Sequence, residues 1–184
     1  MIFSQLLSAQ ESDSLTDKNT AFYEGETYNY IITPPKNFKM NSVEATDDGY
    51  SFAFIPDSES YADASMIIGI NIFKIKPTKN NPFSLEMLIT EDTTAMRKHY
   101  GESVEISEVP PIQTATTDKM RTIYINSDTD VLPNVMMSYF DGKSEILIFE
   151  LAITEKIVRF KAEKIYLECL KQIRALTKGK IDIG

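Results

Sequence analysis

The chain has 184 residues and a mass of 20.9 kDa, the size of one domain that builds its own core without staples. Its composition is 42% hydrophobic and 25% charged, with 7 Gly and 8 Pro, which excludes collagen-like, low-complexity and wholly disordered chains. A net charge of −8 argues against binding a phosphate backbone, the single Cys excludes an internal disulfide, and the single His excludes a His-rich zinc site.

Residues 1–20 read as a signal-like remnant and a polar leader. Met1 to Gln10 are apolar with small residues before Gln10, as in the tail of a secretory signal cleaved after Ala9. The basic n-region is missing, which leaves two alternatives: a true start upstream of Met1, or an amphipathic N-terminus. Gln10 stands where a lipoprotein would carry its acylated Cys, so this segment is no lipid anchor. No apolar run approaches the roughly 18–20 residues of a membrane-spanning helix.

The domain is expected over 21–178. Thr27 to Thr33 alternates, with Tyr28, Tyr30 and Ile32 on one face and Pro34-Pro35 as its stop, the pattern of an edge strand. Tyr50, Phe52 and Phe54 alternate after Asp47-Asp48-Gly49 and end at Pro56. Met66 to Ile75 is apolar on both faces and reads as a central strand. A helix follows between Phe83 and Tyr100, with Leu85, Ile89, Thr93, Met96 and Tyr100 near one stripe. Ser84 and Thr90 are both suitable N-caps, and Gly101 is the stop.

Val104 to Val109 and Lys119 to Asn126 predict two strands separated by Pro110-Pro111. Val135 to Phe140 and Lys143 to Ile153 predict a hairpin, joined by Asp141-Gly142 as a type I′ turn. Glu155 to Leu176 reads as the best helix, with Val158, Ala162, Ile165, Cys169, Ile173 and Leu176 on its buried stripe. Residues 179–184 are a tail. The order implies an α+β domain with a mostly antiparallel sheet of about six or seven strands. A mid-chain helix and a C-terminal helix pack on it.

This arrangement resembles the PsbP-like family between about Tyr28 and Leu176. The resemblance is carried by the aromatic strand closed by prolines (Tyr28 to Phe38) and the strand ending in an aspartate turn (Phe52 to Asp57). The aliphatic strand, the mid-chain helix, the Asp141-Gly142 hairpin and the closing helix complete it. What the resemblance implies is a PsbP-like sandwich and a non-enzymatic accessory or binding role, with no site residue carried over.

Catalytic vocabulary is scarce. His99 ends the first helix, where a cation interacts well with terminal carbonyls, and no nucleophile motif accompanies it. Cys169 reads as a buried hydrophobe. The metal candidates are two acidic loops, Asp128 with Asp130, and Asp57, Glu59 and Asp63. Neither has the register of an EF-hand, and acidic side chains in turns commonly bond their own backbone. No motif for nucleotide phosphates is present and no cofactor is implied. The function expected is therefore an exported, monomeric accessory module, periplasmic or secreted. It would contact a protein or small ligand through a sheet face or a groove beside a helix. The alternative is a carboxylate-based or cation-dependent hydrolase using the acidic loops, recognisable by an enclosed polar pocket where carboxylates converge; a cytoplasmic location is the alternative to export.

Overall fold

A computed structural model describes residues 20–75, 83–101, 104–115, 119–126, 135–154 and 156–178. The elements in chain order are β1 (Ala21–Glu24), β2 (Tyr28–Ile32), β3 (Phe38–Asn41), α1 (Val43–Asp47), β4 (Phe52–Pro56) and β5 (Met66–Lys74). Then come α2 (Leu85–Tyr100), β6 (Glu105–Gln113), β7 (Lys119–Asn126), β8 (Val135–Asp141), β9 (Glu145–Ile153), α3 (Arg159–Lys171) and β10 (Arg174–Thr177). Seven strands form one antiparallel sheet in the order β3-β4-β5-β9-β8-β7-β6, as the α+β reading expects. A second, three-stranded antiparallel sheet has the order β1-β2-β10.

Strand alternation sorts the large sheet into two faces. Phe52, Phe54, Ile68, Ile70, Leu147, Phe149, Leu151, Met136 and Phe140 face the main core, which α3 and the small sheet complete with Tyr166, Leu170, Tyr30 and Ile32. The buried Tyr166 hydroxyl donates to the carbonyl of Phe149 (2.9 Å) and lies 2.8 Å from Ser138 Oγ. Ser138 is in turn 2.8 Å from Thr122 Oγ1. These bonds let polar groups from β7, β8 and α3 share the core without stranding a donor.

The small sheet is fastened to the large one where two hairpin tips meet. Glu145 begins β9 and is wholly buried, yet its carboxyl oxygens accept from the Tyr30 hydroxyl at 3.0 Å and from the Glu26 amide at 3.1 Å. Two glycines clear the space. A Cβ at Gly25 would stand 2.1 Å from Glu145 Oε1, and one at Gly142 would stand 2.0 Å from the Tyr30 hydroxyl oxygen. Thr27 Oγ1 and Ser144 Oγ, 2.5 Å apart, close the same junction.

Several sequence expectations change. Tyr28–Ile32 is the middle strand of the small sheet, because β1 and β10 flank it. Tyr50 precedes β4 and turns to the opposite face from Phe52, its ring filling the space that a Cβ on Gly69 would need. β6 runs through Pro110 and Pro111, which an edge strand with a bulge between Val109 and Ile112 tolerates. The hairpin turn lies at Lys143-Ser144: Asp141 still pairs with Ile146, Gly142 N–H bonds the Glu145 carbonyl at 2.8 Å, and Lys143 takes the positive φ of 70°. Gly142 serves the Tyr30 contact instead. The last helix spans Arg159–Lys171, shorter than Glu155 to Leu176, because Arg174–Thr177 pairs with β2. Val158 and Leu176 are consequently exposed, whereas Ala162, Tyr166, Cys169, Leu170 and Ile173 are buried.

Cys169 is sealed beneath α3, 3.7 Å from the Thr33 carbonyl, and burial pushes its thiol up to about 12. Maleimide labelling of the folded protein should be slow and should accelerate strongly in denaturant. Cys169→Ser should cost roughly 1–3 kcal/mol and Cys169→Ala less. Rapid labelling of the native protein would contradict the burial of this helix face.

Candidate functional site

The other face of the large sheet is covered unevenly. Over β7, β8 and β9, α2 packs Ile89 with Leu85, Leu88 and Met96 against Ile123, Ile125, Met137, Tyr139, Ile146 and Ile148. Near β4, a separate cluster unites Ala45 of α1 with Ala53, Ile55, Tyr61 and Ala64. Ser84 is the N-cap of α2, accepting from the Met87 amide at 3.1 Å, and Gly101 ends the helix at a φ of 96°. Ile89 is the one buried hydrophobic side chain among the described residues of α2. Beside the half-buried Leu85, Leu88 and Met96, the helix is held at its rim by Glu86 to Arg121, which also meets Glu108 at 2.6 Å.

A groove runs beside α2. At one end about 410 Å³ opens between Phe73, Phe83, Leu88, Ile146 and Ile148, with Lys74 at its edge. At the other, about 250 Å³ lies between Asp92, Ala95, Met96, His99 and Met137. Asp92 borders both. The larger part is in the size range of small-ligand sites, with an apolar floor and few polar groups. Phe73 is 52% exposed and Phe83 38%, so large apolar surface stands at the groove mouth.

Asp92 is the acid on the groove's lining, where Lys74 and His99 also stand, and Glu150 is coupled to it from outside that lining. Asp92 accepts from the Tyr139 hydroxyl at 3.0 Å. Burial raises its pKa, the tyrosine partly offsets this, and the Glu91 charge adds to the rise. Glu150 follows Ile146 and Ile148 on the same face of β9. Burial raises its pKa too, the Tyr50 hydroxyl opposes the shift, and the Asp92 charge adds to it. Each carboxyl is thus paired with a tyrosine, and the two repel one another when ionised. Tyr50 and Tyr139 are raised in turn, first by burial and then by these acids.

Neither residue stands out by motif, but both break an apolar pattern. Asp92 falls three residues after Ile89 and four before Met96, and Glu150 interrupts the run Ile146 to Ile153. An acid at a core-facing position is the signal that finds them. The acids expected from sequence do other work. Glu59 accepts from the Ser65 amide at 2.5 Å and the Ser65 hydroxyl at 3.0 Å. Asp63 accepts from Ser60 at 3.0 Å, and its backbone carbonyl accepts from Lys156 at 3.0 Å. Asp57 donates its amide to the Asn37 carbonyl and accepts from Lys39 through its own carbonyl. These are loop-stitching bonds, and no three metal-ligating side chains cluster among the described residues. Asp128 and Asp130 lie outside the described residues. His99 is exposed in the last turn of α2, at the end of the groove.

Because both pKa values are raised, protonated Asp92 and Glu150 suit the fold better than ionised ones. Their contribution to stability is present below the carboxyl pKa values of the unfolded chain and is lost as pH rises through the folded ones. Asp92→Asn and Glu150→Gln should therefore raise the melting temperature at pH 7 and leave it nearly unchanged near pH 3. Thermal melts across that range check this; a destabilised double variant at pH 7 contradicts it.

No protein-family model matches the sequence, and no curated protein matches it. Among solved structures, the chain superposes on the solution structure of PsbP (CyanoP) from Synechocystis sp. PCC 6803. The TM-score is 0.51 at 9% sequence identity, over 90% of this chain and 97% of that one. At such low identity the likeness concerns architecture alone. No described helix is long and apolar enough to cross a membrane. The chain has the PsbP-like fold.

Proposed function

We propose that this chain is an accessory binding module, working outside the cytoplasm, that takes a short protein segment or small ligand into the groove beside α2. One observation carries the reading: beside α2 a recess of about 410 Å³ is walled by Phe73, Phe83 and Leu88 over the buried Ile146 and Ile148. Support comes from the scarcity of catalytic side chains, from the fold shared with cyanobacterial PsbP, and from the signal-like residues before Gln10. A partner with an apolar side chain flanked by a hydrogen-bond donor or cation suits such a site. The apolar group fills the Phe73 end, and the donor meets Asp92.

A hydrolase reading would rest on Asp92, which lines the groove, and Glu150, which senses its charge from outside that lining. Each is engaged by a tyrosine, and the groove beside Asp92 is open, a poorer setting for acid–base chemistry than an enclosed pocket. Peptides selected from a displayed library separate the readings. Phe73→Glu and Leu88→Glu should each weaken the selected peptides at least tenfold, about 1.4 kcal/mol. Asp92→Asn with Glu150→Gln should preserve the apolar part of the binding. Peptides indifferent to Phe73→Glu, or cleaved by the wild type and spared by the double variant, would refute the proposal.

A further inference from the structure

The first turn of α3 presents two apolar side chains outward. Val158, at the N-cap, is 73% exposed and Phe160 is 76% exposed. Cations surround them: Lys156, Lys161 and Lys164 are all exposed. Between Lys156 and Lys171 the sequence has five basic side chains and two acidic ones, in a chain whose net charge is −8. Of the acids, Glu163 is half-buried and paired with Arg159 at 2.8 Å. Glu168 lies more than two turns along the helix from Phe160. Asp63 stands 4.0 Å from the Lys156 ammonium. Arg159 itself lies over the Tyr124 ring, 4.4 Å from its centroid, which anchors the turn to β7. No side chain caps the helix, so its first amides add positive potential to the same corner. By contrast, exposed Val43 at α1 stands beside Glu44, Asp47 and Asp48.

We propose that this corner is a contact for an anionic lipid surface, with Val158 and Phe160 entering the headgroup layer and Lys156, Lys161 and Lys164 meeting lipid phosphates. Two apolar side chains and three lysines are few beside the roughly 20–30 residues a side that a stable protein interface uses. A fluid bilayer needs no preformed pocket and closes around a protruding ring, while flexible lysines reach the headgroups. The contact lies where β9 hands over to α3, at the opposite end of β9 from the Glu145 junction.

The chain has no Trp, so Phe160→Trp gives a single fluorescent reporter at an exposed site. Vesicles of equimolar phosphatidylglycerol and phosphatidylcholine should shift its emission to the blue, and brominated lipid should quench it. Phosphatidylcholine alone should do neither, and about 0.5 M salt should reverse the shift. Lys161→Glu with Lys164→Glu should lower vesicle partition more than tenfold, since each lysine near such a surface is worth about fivefold. Val43→Trp should show no shift. Emission unmoved by anionic vesicles, or an equal shift at Val43→Trp, overturns the proposal. A shift with soluble polyglutamate and none with vesicles also overturns it, in favour of an acidic protein partner.

Discussion

The architecture depends on a buried carboxyl group at the meeting point of two turns. Glu145 is fully enclosed, and an enclosed carboxyl without donors would be strongly destabilising. Tyr30 and the Glu26 amide supply those donors, one from the middle of the small sheet and one from its turn. Satisfying Glu145 therefore requires the small sheet to sit where it does. Gly25 and Gly142 matter here through the missing Cβ, since a methyl group at either would occupy the space of the hydrogen-bonded atoms. The Tyr30 ring also packs edge-on against Phe140 at 5.9 Å, so the same side chain belongs to the apolar core and to its polar latch.

With the small sheet and α3 on one face, the main core is closed, and Tyr166 ties α3 to β8 and β9 from within it. The opposite face is finished lightly. There α2 contributes, among its described side chains, one buried apolar residue with three half-buried ones, and α1 protects a separate cluster near β4. The groove is the remainder between them. Asp92 on its lining, and Glu150 on β9 outside it, occupy core-facing positions that apolar side chains would otherwise fill. Their ionisation works against stability near neutral pH, a cost commonly tolerated at functional sites.

Much of this was legible in the sequence where one physical signal dominated. The apolar runs Met66 to Ile75, covered on both faces, and Lys143 to Ile153 located the paired strands β5 and β9. Gly101 ended α2 by capping chemistry, while Ser84 and Thr90 were equal N-cap candidates until the structure placed the cap at Ser84. What escaped was decided by long-range contacts. Arg174–Thr177 continues a helical pattern locally and becomes a strand only because β2 offers an open edge. The Asp141-Gly142 pair suggests a turn, yet the glycine is needed for the Tyr30 hydroxyl. The four-residue β1 and β3 are too short to show periodicity. Asp92 and Glu150 were hidden because their partner tyrosines are distant in sequence, whereas Asp57, Glu59 and Asp63 drew notice by clustering and serve their own loop.

A double-mutant cycle between Tyr30→Phe and Glu145→Ala tests the central claim most directly. Chemical denaturation of the wild type, both single variants and the double variant gives the coupling energy across the junction. A tyrosine hydroxyl bonded to a buried carboxyl group predicts about 2 kcal/mol, with each single variant leaving a polar partner stranded. Additive effects, with coupling below about 0.5 kcal/mol, would mean that the two sheets are held by the apolar core alone and that Glu145 does not latch them.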